Sequence, residues 1–168
     1  MIEVRALCNG EFDVLDAVFD GLSAESRFRR FHAPVQGLTA GTRRVLAAVD
    51  GHRHVAVAAF ADGRPVGIAR LVADDAGRCD LGIEVVDDVQ RSGVGARLLR
   101  AVAALAAAAG HRVLEAEVLS TNRAALRLVF SVFPDATAFP DGITTRLVAA
   151  LPAADAVALP VGVVACAA

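Results

Sequence analysis

The chain has no lysine, no tryptophan and no tyrosine, and only one methionine and three cysteines. All 17 cationic residues are arginines, so the lysine that a Walker-type phosphate loop requires is missing. Cys8, Cys79 and Cys166 are odd in number, far apart and free of any CxxC pair, which argues against a disulfide framework or a zinc site and suits a reducing cytoplasm. His32, His52, His54 and His111 lack metal-ligand spacing, so surface or turn roles and no metal are expected. The start, MIEVRALCNGEF, carries early acids and no apolar signal core, so no secretion signal is read there. Pro152, Asp155 and Pro160 interrupt the apolar C-terminal run, which argues against a spanning helix and favours a last strand or tail over 151–168. A net charge of −2 makes no case for nucleic acid.

What is present suits a globular protein. With 168 residues, 55% of them hydrophobic and 21% charged, the chain can bury a core within one domain, read as residues 1–150. No repeat and no Gly/Ser linker divides it. IEVRAL alternates and predicts a first strand; Phe12, Leu15, Phe19 and Leu22 follow at helical spacing. SAESRFRRF opens on a cap-like Ser23 and repeats the helical pattern, with the Arg27, Arg29 and Arg30 cluster expected on a solvated face. LTAGTRRVLAAV reads as a further short helix.

Past Gly51 the texture changes to strands. HVAVAAF and VGIARLV flank Asp62-Gly63, a hairpin signal, and a second turn leads into CDLGIEVV. A long helix from about Val94 to Ala109 ends at Gly110, expected as a left-handed cap. RVLEAEVL, TNRAALRLVFSVF and GITTRLVAAL then read as strand, helix and strand. The fold class is therefore α/β (α+β): a mixed sheet flanked by helices, with a parallel crossover from the fourth strand to the fifth.

The turn Gln90-Arg91-Ser92-Gly93-Val94-Gly95-Ala96 stands between strand and long helix. A helix start leaves about four N–H groups without partners and carries partial positive charge, so a phosphate can sit on them when side chains are cut back to hydrogen. Gly93 and Gly95 clear such a space and Arg91 adds a cation. The pattern is neither a Walker loop nor GxGxxG.

Strand GIEVV, this turn and the long helix resemble motif A of the GNAT superfamily of acyl-CoA N-acyltransferases, whose Gln/Arg-x-x-Gly-x-Gly/Ala pattern Gln90, Arg91, Gly93 and Gly95 match in order. EVLSTNRAALRL resembles motif B, with Asn122 as the match for the Asn that faces the pantetheine arm. The likeness covers about His54 to Phe133 well, and the opening LSAESRFRRFHAPV looks like the catalytic domain of bacterial Pat-type protein lysine acetyltransferases. It implies a mostly antiparallel GNAT sheet of about six to seven strands, splayed between the fourth and fifth. It implies acetyl-CoA as cosubstrate, with its diphosphate on the amides from Arg91 through Ser92, Gly93, Val94 and Gly95 to Ala96. Its pantetheine would pair around Val85 and Val86 at the splayed edge, as an added strand does.

The resemblance places the proton acceptor about ten residues before the turn Gln, where this chain has Asp80 instead of the usual Glu. Glu84 shares its strand face by the period of two, and Glu117 lies on the fifth strand, so both are further candidates. Each carboxylate has a plainer reading as a solvated face or an arginine partner. An N–H near Val85 is the expected oxyanion donor. Many relatives carry a Tyr after motif B to protonate the leaving thiolate; here Val129 or Phe130 falls near that place. The implied function is cytoplasmic N-acetylation of a primary amine, protein lysine favoured and a small amine next, without membrane or nucleic-acid partners and with a homodimer allowed. The alternative is a non-catalytic acyl-CoA-binding module.

Overall fold

A computed structural model describes residues 1–153. The strands are β1 Ile2–Ala6, β2 His54–Ala61, β3 Arg64–Ala73, β4 Arg78–Val85, β5 Val113–Leu119, β6 Thr137–Asp141 and β7 Thr144–Ala150. The helices are α1 Phe12–Asp20, α2 Ala24–Phe31, α3 Ala40–Ala47, α4 Val94–Ala108 and α5 Arg123–Val132. All seven strands form one sheet in the order β1-β2-β3-β4-β5-β7-β6, antiparallel everywhere except between β4 and β5. This is the mixed fold expected from the sequence, with one strand more than the six that the pattern named: β6 is exposed along its whole length.

Local chemistry sets the boundaries. Ser23 and Thr39 cap α2 and α3, accepting from the N–H of Ser26 at 3.2 Å and Thr42 at 3.1 Å. Asp62 and Gly63 both have positive φ, 48° and 83°, as a two-residue I′ hairpin between right-twisted strands demands. At the end of α4 the N–H of His111 reaches the Ala106 carbonyl and that of Gly110 reaches Ala107, with Gly110 at φ 96°, which is a Schellman ending.

The core lies between the sheet and its helices. Alternation puts Gly67 and Val85 toward Leu98 of α4, and Asp80, Gly82 and Glu84 toward α2 on the opposite face. Helix α4 is buried along most of its length, its alanines letting it lie close to β2 and β3. Cys79 is a buried free thiol raised by desolvation, as a core cysteine should be. Of the histidines expected at the surface or in turns, His54 is instead buried at the start of β2, and His111, in the connection after α4, is buried and hydrogen-bonds the His52 carbonyl at 2.7 Å. The expected strand or tail over 151–168 falls almost wholly outside the described residues, save that Leu151 is buried and its N–H donates to Arg112. No helix among the described residues is long and apolar enough to cross a membrane.

Candidate active site

The start of α4 has the open geometry that its glycines suggested. Arg91 and Gly93 turn through positive φ, 62° and 86°, and Gly93 caps the helix with no side-chain hydrogen bond. Among the described residues nothing accepts from the N–H groups of Gly93, Val94, Gly95 or Ala96; the first bond of the ladder runs from Arg97 to Gly93. A Cβ on Gly93 would meet nothing within 4 Å, so its missing side chain serves backbone conformation and open space. Gly95 differs: its Cβ would lie 3.1 Å from Leu128, so this glycine lets α4 and α5 approach. No carboxylate pairs with Arg91 among the described residues, leaving positive charge beside a row of free donors.

This turn opens into a cavity of about 320 Å³ between β4 and β5. The two strands are in register only at Arg78–Asp80 against Val113–Glu115, after which they separate. The N–H of Val86 bonds Val66 and the carbonyl of Arg78 accepts from Asp74, so even-numbered residues of β4 point their main chain toward β3. By alternation the N–H and C=O of Ile83 and the N–H of Val85 face the gap. The Val85 carbonyl also faces it and is taken by the Gln90 side chain at 2.9 Å, which ties the turn to the strand end. Asn122 accepts from the Ala125 N–H at 3.1 Å, capping α5 at the cavity wall.

The carboxylates separate into different environments. Both oxygens of Glu84 are held, by Arg70 Nη2 at 2.8 Å and Arg30 Nε at 2.6 Å. Burial alone would push its carboxyl up, but Arg70 and Arg30 prevail and hold it below the ordinary range. Glu84 is thus a fixed, ionised ion-pair partner, which corrects its candidacy as a base. Burial pushes the Asp80 carboxyl up; Arg30 opposes the rise, and Glu117 and Glu115 add to it. Asp80 stays exposed to solvent and so can exchange protons with it. It lines a second hollow of about 250 Å³ with Arg30, Phe31, His32, Leu81 and Glu117, and three of these, Arg30, Leu81 and Glu117, also line the main cavity. Glu117 lies 3.5 Å from His32 Nδ1.

Val85, Gln90, Arg91, Gly93, Gly95, Ala96, Asn122, Glu84 and Glu117 therefore meet around one cavity, with Asp80 adjoining. Three expected residues do not line it. Val86 is buried with its N–H engaged, Val94 sends its side chain into the core, and the Ser92 hydroxyl donates to the Val89 carbonyl. Val129 is buried and lines the cavity where the resemblance put an acid, so that wall is apolar.

Arg30 is the residue the sequence reading placed wrongly. It is no solvated helix side chain: it runs directly over Gly82, where a Cβ would lie 2.2 Å from its Nη2. A glycine inside a strand was the available signal, since it marks close approach by another group. Arg27 also leaves the solvated set, donating to the Phe19 and Gln36 carbonyls, whereas Arg29 pairs with Glu25 at the surface.

Solved structures share this arrangement of elements. The GNAT domain of Streptomyces lividans PAT is 26% identical, with a TM-score of 0.81 over 88% of this chain and 89% of that one. A cAMP-binding acyltransferase from Mycobacterium smegmatis is 22% identical, with a TM-score of 0.61 over 94% of this chain but 45% of its own length. The Salmonella typhimurium protein yncA, solved with its cofactor acetyl-CoA, has a TM-score of 0.62 at 16% identity over 90% of this chain and 94% of that one. No curated protein matches the chain. The sequence model of the acetyltransferase (GNAT) family matches residues 18–129, and with the splayed sheet and open helix start this makes the chain a member of the GNAT acetyltransferase family.

Proposed function

We propose that residues 1–150 form a single domain that transfers an acetyl group from acetyl-CoA to a primary amine in the cytoplasm, a protein lysine first and a small amine next. The observation that carries this reading is the row of unpartnered amides at the start of α4, opening into the same cavity as the free edge of β4. The likeness to the PAT domain favours a protein acceptor. Asp80 and Glu117 at the adjoining hollow favour an acceptor that arrives as a cation.

The residues fit the cosubstrate. The N–H groups of Gly93, Val94, Gly95 and Ala96, with Arg91, would hold the diphosphate, and Ile83 and Val85 would pair with the extended arm. The thioester supplies an activated acyl carbon. Asp80, with its elevated pKa, takes the proton that the ammonium must lose before attack. The main-chain N–H on β4 facing the gap donates to the developing oxyanion. With Leu128 and Val129 forming an apolar wall, water is left to protonate the departing thiolate. That apolar wall also favours the second reading, a non-catalytic binding module.

Thiol release measured with acetyl-CoA and a panel of amines and peptides, beside calorimetry of acetyl-CoA binding, tests both readings. Wild type should bind acetyl-CoA and release thiol with some acceptor. Binding without release from any acceptor selects the module, and no binding rejects both. Gly93→Glu should lose at least a hundredfold in affinity because its carboxylate occupies the anion's place. Gly93→Asn, which tolerates positive φ, separates that effect from backbone strain and should retain most of the affinity.

A further inference from the structure

Five groups from three elements meet on the α2 face of β4: Arg30 from α2, Arg70 from β3, and Asp80, Gly82 and Glu84 along β4 itself. Arg70 is directly across from Gly82 in the register. Its Nη2 holds Glu84 and its Nη1 donates to the Leu46 carbonyl at 3.3 Å, fixing it to the end of α3. It is 3% exposed, so its charge is set inside the protein. Arg30 then bonds the other Glu84 oxygen through Nε, and its Nη2 and Cζ pass over Gly82. Gly82 separates Glu84 from Asp80 on that face, and Arg30 and Asp80 line the same hollow. The guanidinium thus stands between two carboxylates and is bonded to one of them.

We propose that Arg30 is a positioning residue: Glu84, itself anchored by Arg70, holds the Arg30 guanidinium over Gly82 and off Asp80, and this division sets how basic Asp80 is. Held on Glu84, Arg30 acts on Asp80 only through space. Released, it would bond Asp80 directly, and a carboxylate bonded to a guanidinium is a poor proton acceptor. Removed, it would leave the acids Glu115 and Glu117 beside Asp80 without the guanidinium that opposes them. The other charged or titratable groups around Asp80 are His32 at the end of α2, Glu115 and Glu117 on β5, and Arg78 on β4. Arg78 pairs with Asp74 at 2.8 Å and lies 3.9 Å from Glu115, and Arg146 of β7 lies 3.7 Å from Glu115, so these cations are committed away from Asp80. His32 lies by Glu117. Arg30 is therefore the cation whose placement decides the balance.

The inference takes Asp80 as the base of the proposed reaction, yet its test needs no acceptor. The Asp80 carboxyl carbon is titrated by carbon-13 NMR in the whole protein without ligand, its signal assigned by its loss in Asp80→Asn. Arg30→Gln should move the Asp80 midpoint up by about one pH unit, and Glu84→Gln should move it down by about as much, as Arg30 turns to Asp80. The double variant should follow Arg30→Gln. Opposite displacements support the proposal; displacements of the same sign, or an unmoved Asp80, overturn it. If Glu84→Gln does not fold, Arg30→Gln decides alone: no upward movement sinks the positioning role of Arg30. Unmoved titrations in an enzyme that releases thiol defeat the positioning role of Arg30 and spare the reaction, while the expected titrations with no thiol release do the reverse.

Discussion

Asp80 and Glu84 are four residues apart on one strand face, with Gly82 between them, yet their carboxyls are shifted in opposite directions. Glu84 lies between two guanidinium groups; Asp80 is crowded by atoms and by other acids. A carboxyl whose folded pKa is raised above its unfolded value is best tolerated protonated. The stability it contributes is full below the unfolded pKa and is lost as pH rises through the folded one. On this sign ionised Asp80 should weigh modestly against the fold at neutral pH, since its exposure to solvent screens the charge. Asp80→Asn should raise the melting temperature near pH 7, a gain that shrinks as pH falls below the ordinary aspartate range. It should also slow amine acetylation by about 10²–10⁴-fold, the usual worth of a positioned base. Thermal scans across pH and steady-state rates check the two halves; a melting temperature lowered at pH 7 would contradict the sign.

Among the helices α4 does two things, covering the sheet and presenting its open first turn. Leu98 is fully buried and touches the place where Gly67 lacks a side chain. Leu98→Ala should cost about 2–5 kcal/mol of unfolding free energy, measured by denaturant titration. Much of this was legible in the sequence because the signals are local. Asp62-Gly63 fixes its own hairpin, Gly110 its own cap, and the turn from Gln90 to Ala96 its own opening. Strand β6 was not legible: Thr137–Asp141 is short, exposed and interrupted by Pro140, and becomes a strand by pairing with β7. Arg30 was not legible either, since its partner Glu84 is 54 residues away and its path depends on Gly82. For Glu84 the sequence leaves base and arginine partner both open, and only the fold, by bringing Arg70 from β3 beside it, decides between them.

Across the whole sheet, the weakest seam runs where β4 meets β5 over three residue pairs. Hydrogen exchange should find the amides of Ile83, Val85 and Gly93 to Ala96 poorly protected without ligand. With coenzyme A at about 100 times its Kd, binding stabilises the folded state by about 2.7 kcal/mol, so openings that expel the ligand should become about a hundredfold rarer. These amides should slow accordingly, while solvent-facing amides of β1 at the far edge keep their rate. Equal exchange at the seam with and without coenzyme A would count against the site. A sheet that stops zipping after three rungs leaves main chain on β4 at liberty to bond something other than β5. On the function proposed here the extended arm of the cosubstrate would bond there, so that holding substrate and completing the sheet would be partly the same act.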